Sequence, residues 1–85
     1  MTETATTVEL QVPLQHEDKT INKLTFREAE VGDLIDVAGC ANEMERIAKM
    51  IALVTNTPFE AIRKLKARDL SNIMKKVGSL VGNEI

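Results

Sequence analysis

The chain changes hydrophobic period near residue 30, and that change constrains its fold more than any other feature. Before it, Val8, Leu10, Val12 and Leu14 are apolar with Glu9 and Gln11 between them, and Leu24 and Phe26 resume the alternation. A period of two puts apolar side chains on one face of a strand and leaves the other face wet. The polar run Gln15 to Thr20 joins the two segments, and Asp18 within it suits turn chemistry. A β-hairpin is therefore predicted over about 8–27. Pro13 has no N–H and so predicts a sheet edge at its point in the strand. A lone hairpin is marginal in water and has to pack on the rest of the chain.

From residue 31 onward the apolar residues take the three-and-four spacing of helix faces. Val31, Leu34, Ile35 and Ala38 predict a short helix over 31–38, stopped by Gly39. Asn42 stands three residues before Glu45, a cap-like start for a helix over 43–55. In that helix Met44, Ile47, Ala48, Ile51 and Thr55 form one stripe, and Met50, Leu53 and Val54 widen it beyond a single face. Such a helix is either central to the fold or in contact with a partner. Thr57-Pro58-Phe59-Glu60 has the pattern of a capping box, with Thr57 as cap and Pro58 as first helical residue. It predicts a helix over 58–65 with Phe59, Ile62 and Leu65 inward. A last helix is predicted over 69–82, with Asp69 capping or charge-stabilising its start, an apolar stripe of Leu70, Ile73, Met74, Val77, Leu80 and Val81, and Gly82-Asn83 as its stop.

With 85 residues there is room for one domain with a thin core. The fold class expected is α+β, a hairpin packed on three to four helices. Residues 1–7 are polar and predict a flexible tail, and they lack the positive start of a signal peptide. Apolar runs are far shorter than the roughly 20 residues that span a bilayer.

Function classes fall away on residue counts. Two Phe with no Tyr or Trp exclude an aromatic stacking platform for bases or sugars. A single Cys and a single His leave no Cys-based or two-histidine metal site, and no metal or cofactor is expected. Cys40 reads as a small buried or half-buried residue, and His16 as a solvated loop residue rather than a general base. Asp33 and Asp36 share a helix side, but a wet face explains them better than a cation. No glycine-rich phosphate loop is present. The chain is not expected to be an enzyme.

Charge is distributed unevenly. Residues 1–45 hold ten acids against three bases, whereas residues 46–85 hold eight bases against three acids. Arg63, Lys64, Lys66, Arg68, Lys75 and Lys76 lie within fourteen residues. Such a chain can solvate two faces, associate head to tail with copies of itself, or hold phosphates as a small nucleic-acid-binding regulator. The last reading is weakened because the helix after Pro58 offers Phe59 and Glu60 where a recognition helix needs base-reading side chains.

The order of two motifs adds a resemblance. Leu24-Thr25-Phe26-Arg27-Glu28 followed by Val31-Gly32-Asp33-Leu34 is similar to an L-T-L-R-E-P-x-x-G-D-L signature. Thr57-Pro58-Phe59-Glu60-Ala61-Ile62, then Leu65 and Asp69, is similar to T-G-L-P-x-E-x-I-x-x-L…D. Together they resemble the small tail assembly chaperones of Mu-like and other contractile-tailed phages and prophages, over roughly residues 8–82. Ala29 replaces the usual Pro, and Asn56-Thr57 replaces the usual Gly-Leu.

The resemblance implies a non-catalytic protein in the host cytoplasm. It would bind the long apolar tape-measure protein, help tail-tube subunits assemble around it, and be absent from the mature virion. It also implies structural roles for Leu24, Arg27, Glu28, Gly32, Asp33, Leu34, Pro58 and Asp69, with Gly32 serving a turn or close packing and Arg27 pairing with Asp33 or Glu28. The client surface is expected on the last helix, at Leu70, Ile73, Met74, Val77, Leu80 and Val81, or, if that whole stripe is core, on the second apolar face around Met50 and Leu53.

Overall fold

A computed structural model of the chain describes residues 5–78. Strands β1 (Ala5–His16) and β2 (Lys19–Arg27) pair as an antiparallel hairpin, followed by helices α1 (Val31–Val37), α2 (Glu43–Thr55), α3 (Phe59–Ile62) and α4 (Ala67–Val77). The fold is α+β, as the change of period predicts.

The hairpin starts earlier than the apolar alternation does. Thr6 and Thr7 pair with Phe26 and Thr25, so residues 5–7, expected as tail, belong to β1. The Thr7 and Thr25 hydroxyls lie 3.2 Å apart across the ladder. Two residues, Glu17 and Asp18, connect the paired ends His16 and Lys19. Glu17 takes a left-handed backbone conformation with φ of 55°, which favours glycine. His16 is half-buried at the end of β1, with Nε2 3.9 Å from a Glu17 carboxylate oxygen, rather than solvated in a loop.

β1 bulges midway. Glu9 pairs with Lys23 and Leu14 with Ile21, so five steps on β1 face two on β2. Pro13 lies inside this irregular stretch, where a missing N–H breaks no ladder. Val8, Leu10 and Leu14 nonetheless face the core, with Leu24 and Phe26 of β2 beside them.

Helix α2 is central: it packs against β2, α1 and α3. Its widened apolar surface is explained by this position, with Met50, Ile51, Ala52 and Val54 all buried. Asn42 Oδ1 accepts the Glu45 N–H at 2.8 Å, the expected cap. At the other end Asn56 is left-handed, with φ of 53°. The Thr57 N–H reaches the Ala52 carbonyl at 2.9 Å and the Asn56 N–H reaches Leu53 at 3.2 Å. This is a Schellman closure, and it explains why Asn stands where the resembling family has Gly.

The capping box expected at Thr57 does not form. Pro58 is extended, with ψ of 141°, and is itself the cap residue of α3. The Thr57 hydroxyl turns back to α2 instead, accepting from Thr55 Oγ1 at 3.0 Å. Helix α3 is a single turn whose exit, from Lys64 to Leu65, tightens into i→i−3 bonds. Helix α4 begins at Ala67, two residues before the expected start, because Asp69 faces the hairpin instead of capping its own helix. The expected stop at Gly82-Asn83 lies outside the described residues.

Candidate functional site

Two buried aspartates, one in the first turn of α1 and one in the first turn of α4, lock those helices to the hairpin. Asp69 accepts the Gln11 N–H at 2.8 Å on one oxygen and the Val12 N–H at 3.2 Å on the other. Both N–H groups lie in the bulge, where β2 offers them no partner. A buried amide without a partner is costly, and a carboxylate accepting two of them is a strong remedy. Asp69 is 1% exposed, the one fully buried charged side chain among the described residues.

Asp33 is held differently. Arg27, the last residue of β2, makes a two-pronged contact with it, Nη1 to Oδ2 at 2.8 Å and Nη2 to Oδ1 at 3.0 Å. Asp33 Oδ2 also accepts the Glu30 N–H at 2.8 Å, which closes the start of α1. Arg27 has thus taken the first of the two partners open to it in the sequence, while its Nη1 also donates to the Glu28 carbonyl. The Arg27 hydrogen bond holds the Asp33 carboxyl below the ordinary carboxylate range, against the opposing pull of burial, and raises the guanidinium in turn. Both Asp33 oxygens are committed and Asp36 is exposed to solvent, so the two do not converge on a cation.

Fixing Asp33 inward sets the rotation of α1. Asp33 and Val37 are buried, one turn apart, and Leu34 is half-buried. Val31, Ile35 and Ala38 therefore face outward, although their spacing alone marks them as one apolar face. Val31 is 71% exposed and Ile35 68%. Gly32 shares this outer face: a Cβ built there meets nothing within 4 Å, and its backbone is not left-handed. Neither a turn nor a close approach within the described residues calls for it.

A second apolar surface opens at the start of α2. Met44, 59% exposed, begins a groove of about 650 Å³ between α2, α3 and the start of α4. Ala48, Phe59, Ile62, Leu65 and Leu70 line it, with Glu45 on one wall and Arg63 on the other. The expected inward set of α3 is thus divided: Ile62 is buried, whereas Phe59 and Leu65 are half-buried at the groove. Spacing along one helix cannot reveal it, because three separate segments supply the walls. The exit of Met44 from the α2 stripe is its only local sign.

The stripe expected on the last helix is not presented as a surface. Ile73 and Val77 are fully buried, and Leu70 and Met74 are half-buried against the same core. Leu80 and Val81 lie outside the described residues. Of the remaining signature residues, Leu24 is buried, Glu28 is exposed, and Pro58 caps α3. No helix among the described residues is long and apolar enough to cross a membrane.

No curated protein and no solved structure matches the chain. The family described as phage tail assembly chaperone proteins, E, or 41 or 14, matches residues 7–82, which spans both anchoring aspartates, the outward face of α1 and the groove. The chain belongs to that family of phage tail assembly chaperones.

Proposed function

We propose that the protein binds the tape-measure protein, keeps that apolar chain soluble in the host cytoplasm while tail-tube subunits assemble around it, and leaves before the tail is complete. The role is one of binding without catalysis, and it requires no cofactor. Family membership supports the assembly setting. The observation that carries the reading is the apolar surface left open on a folded domain: Val31, Ile35 and Met44 are large, exposed and concentrated on α1 and the start of α2. Single exposed apolar side chains are ordinary, but Met44 at the mouth of a preformed apolar groove suits an amphipathic client helix, and Val31 and Ile35 leave further apolar surface open on α1. Met44 adds a flexible side chain able to adapt to varied client surfaces.

Co-expression with segments of the tape-measure protein tests this. The parent chain should co-purify with at least one segment, while Ile35→Asp and Met44→Asp, both at exposed positions, should lose it without a change in melting temperature. Undiminished recovery with both variants would contradict the proposed client surface.

A further inference from the structure

We infer that the groove between α2, α3 and α4 selects amphipathic helices that carry acidic residues along one flank of their apolar stripe, and that Arg63 and the basic turn after it make the selection. The selection rests on the client reading and gives that client a chemistry. Hydrophobic contact supplies one half of it. Met44 and Ala48 stand one helical turn apart on the α2 wall, and Phe59, Ile62, Leu65 and Leu70 complete the apolar lining. Such a groove takes anchors spaced i, i+3 and i+4 along a helix laid in it. Any apolar stripe would satisfy that half.

The walls differ in charge, and that difference supplies the other half. On the α2 side both signs are present: Glu45 accepts the Ala41 N–H at 3.2 Å, Glu43 lies 3.7 Å from Arg46, and Lys49 is exposed. On the other side Arg63 lines the groove, and Lys64, Lys66 and Arg68 alternate along the chain with the lining residues Leu65 and Ala67. All four are exposed, and none makes an ion pair among the described residues. Neighbouring acids do not offset them. Asp69 is buried with both oxygens bonded to β1 amides, which leaves Glu60 as the one exposed acid from Thr57 to Gly78.

Each of these cations is a lining residue or stands next to one, inside the screening length of about 8 Å at physiological salt. A helix that seats its apolar anchors therefore brings one flank up to a row of unpaired positive charges. Carboxylates on that flank are attracted, and Arg63 can hold one of them with two parallel hydrogen bonds. Lysines there are repelled, so segments of equal hydrophobicity are told apart by charge. The mixed α2 wall exerts no such bias, and the acidic flank of the bound helix lies on the α3 side.

Fluorescence anisotropy with three synthetic helical peptides tests this. The peptides share one leucine stripe and differ only along one flank, which carries glutamate, glutamine or lysine. At low salt the parent chain should bind the glutamate peptide at least tenfold more tightly than the lysine peptide, with the glutamine peptide between them, and added salt should narrow the gap. The double variant Arg63→Glu with Lys66→Glu, both at exposed positions, should reverse the order while the melting temperature stays that of the parent chain. Ala48→Leu narrows the groove without changing charge and should weaken all three peptides by a similar factor. Equal affinity for the three peptides, binding of none of them, or an order that the double variant leaves unchanged overturns the selection, even where a tape-measure segment is still captured in co-expression. Capture of no tape-measure segment at all overturns the client reading, and the selection falls with it.

Discussion

Helices α1 and α4 make an instructive pair. Each carries an aspartate in its first turn, turned inward and bonded to the hairpin. In α4, Ile73 and Val77 follow Asp69 by one and two turns, so the carboxylate and the apolar stripe share a face and go into the core together. In α1 the same geometry buries Val37 one turn after Asp33, but the larger apolar set lies on the opposite side and stays in water. Rotating α1 to bury Val31 and Ile35 would exchange one buried aliphatic for two, a gain of about 2 kcal/mol. It would forfeit three charge-assisted bonds to Asp33 worth roughly 1.5–3 kcal/mol each before screening on the Arg27 side is allowed for. The anchor outweighs the stripe. Apolar spacing says that a helix has a face, and an anchored polar group decides where that face points.

Parallel truncations separate the two helices. Ile73→Ala should cost about 3 kcal/mol, as for any filled core position, whereas Ile35→Ala should stay within roughly 0.5 kcal/mol of the parent chain. Urea unfolding of both variants checks this, and equal losses would mean that the two helices are packed alike. Asp69→Ala comes next. It strips partners from two bulge amides and should cost about 2–3 kcal/mol, with amide exchange at Gln11 and Val12 accelerating before the rest of the hairpin.

The Asp33 anchor should show a smaller, pH-dependent effect. Its folded-state pKa lies below the unfolded value of about 3.9, so its contribution is present above that pH and fades as pH falls through the lower folded value. Asp33→Asn should therefore lose roughly 1–2 kcal/mol near pH 7, less than a buried pair because the Arg27 side chain is 44% exposed. The difference from the parent chain should shrink as pH drops below about 4. A gap that widens in acid would reverse the assigned sign. Smallest is Gly32→Ala, which fills open space on a helix and should raise stability by up to about 1 kcal/mol.

Much of the fold is legible in the order of residues. The alternation at Val8, Leu10 and Leu14, and at Leu24 and Phe26, marks a hairpin because one side of it has to be dry. The Asn42 cap is legible because it is a local bond between residues three apart. The features that escape are set by partners distant in sequence. Asp69 looks like a helix cap, and its real partners, Gln11 and Val12, lie nearly sixty residues away in a bulge that only Pro13 hints at. Thr57-Pro58-Phe59-Glu60 matches a capping box, but the extended Pro58 moves the helix start one residue on. At the surface, spacing marks an apolar face on α1 and on α4 alike and leaves open which of the two is core, because in neither helix does it carry the sign of the rotation.

Thiol reactivity measures that rotation most directly. In a Cys40→Ser background, Ile35→Cys and Ile73→Cys place one reporter on each helix, and Ellman's reagent reads their access to solvent under native conditions. The thiol at position 35 should react within a few-fold of its rate in urea, while the thiol at 73 should be slowed by at least a hundredfold. Comparable protection at both positions would show that α1 turns its apolar ridge inward and that Asp33 does not set its rotation.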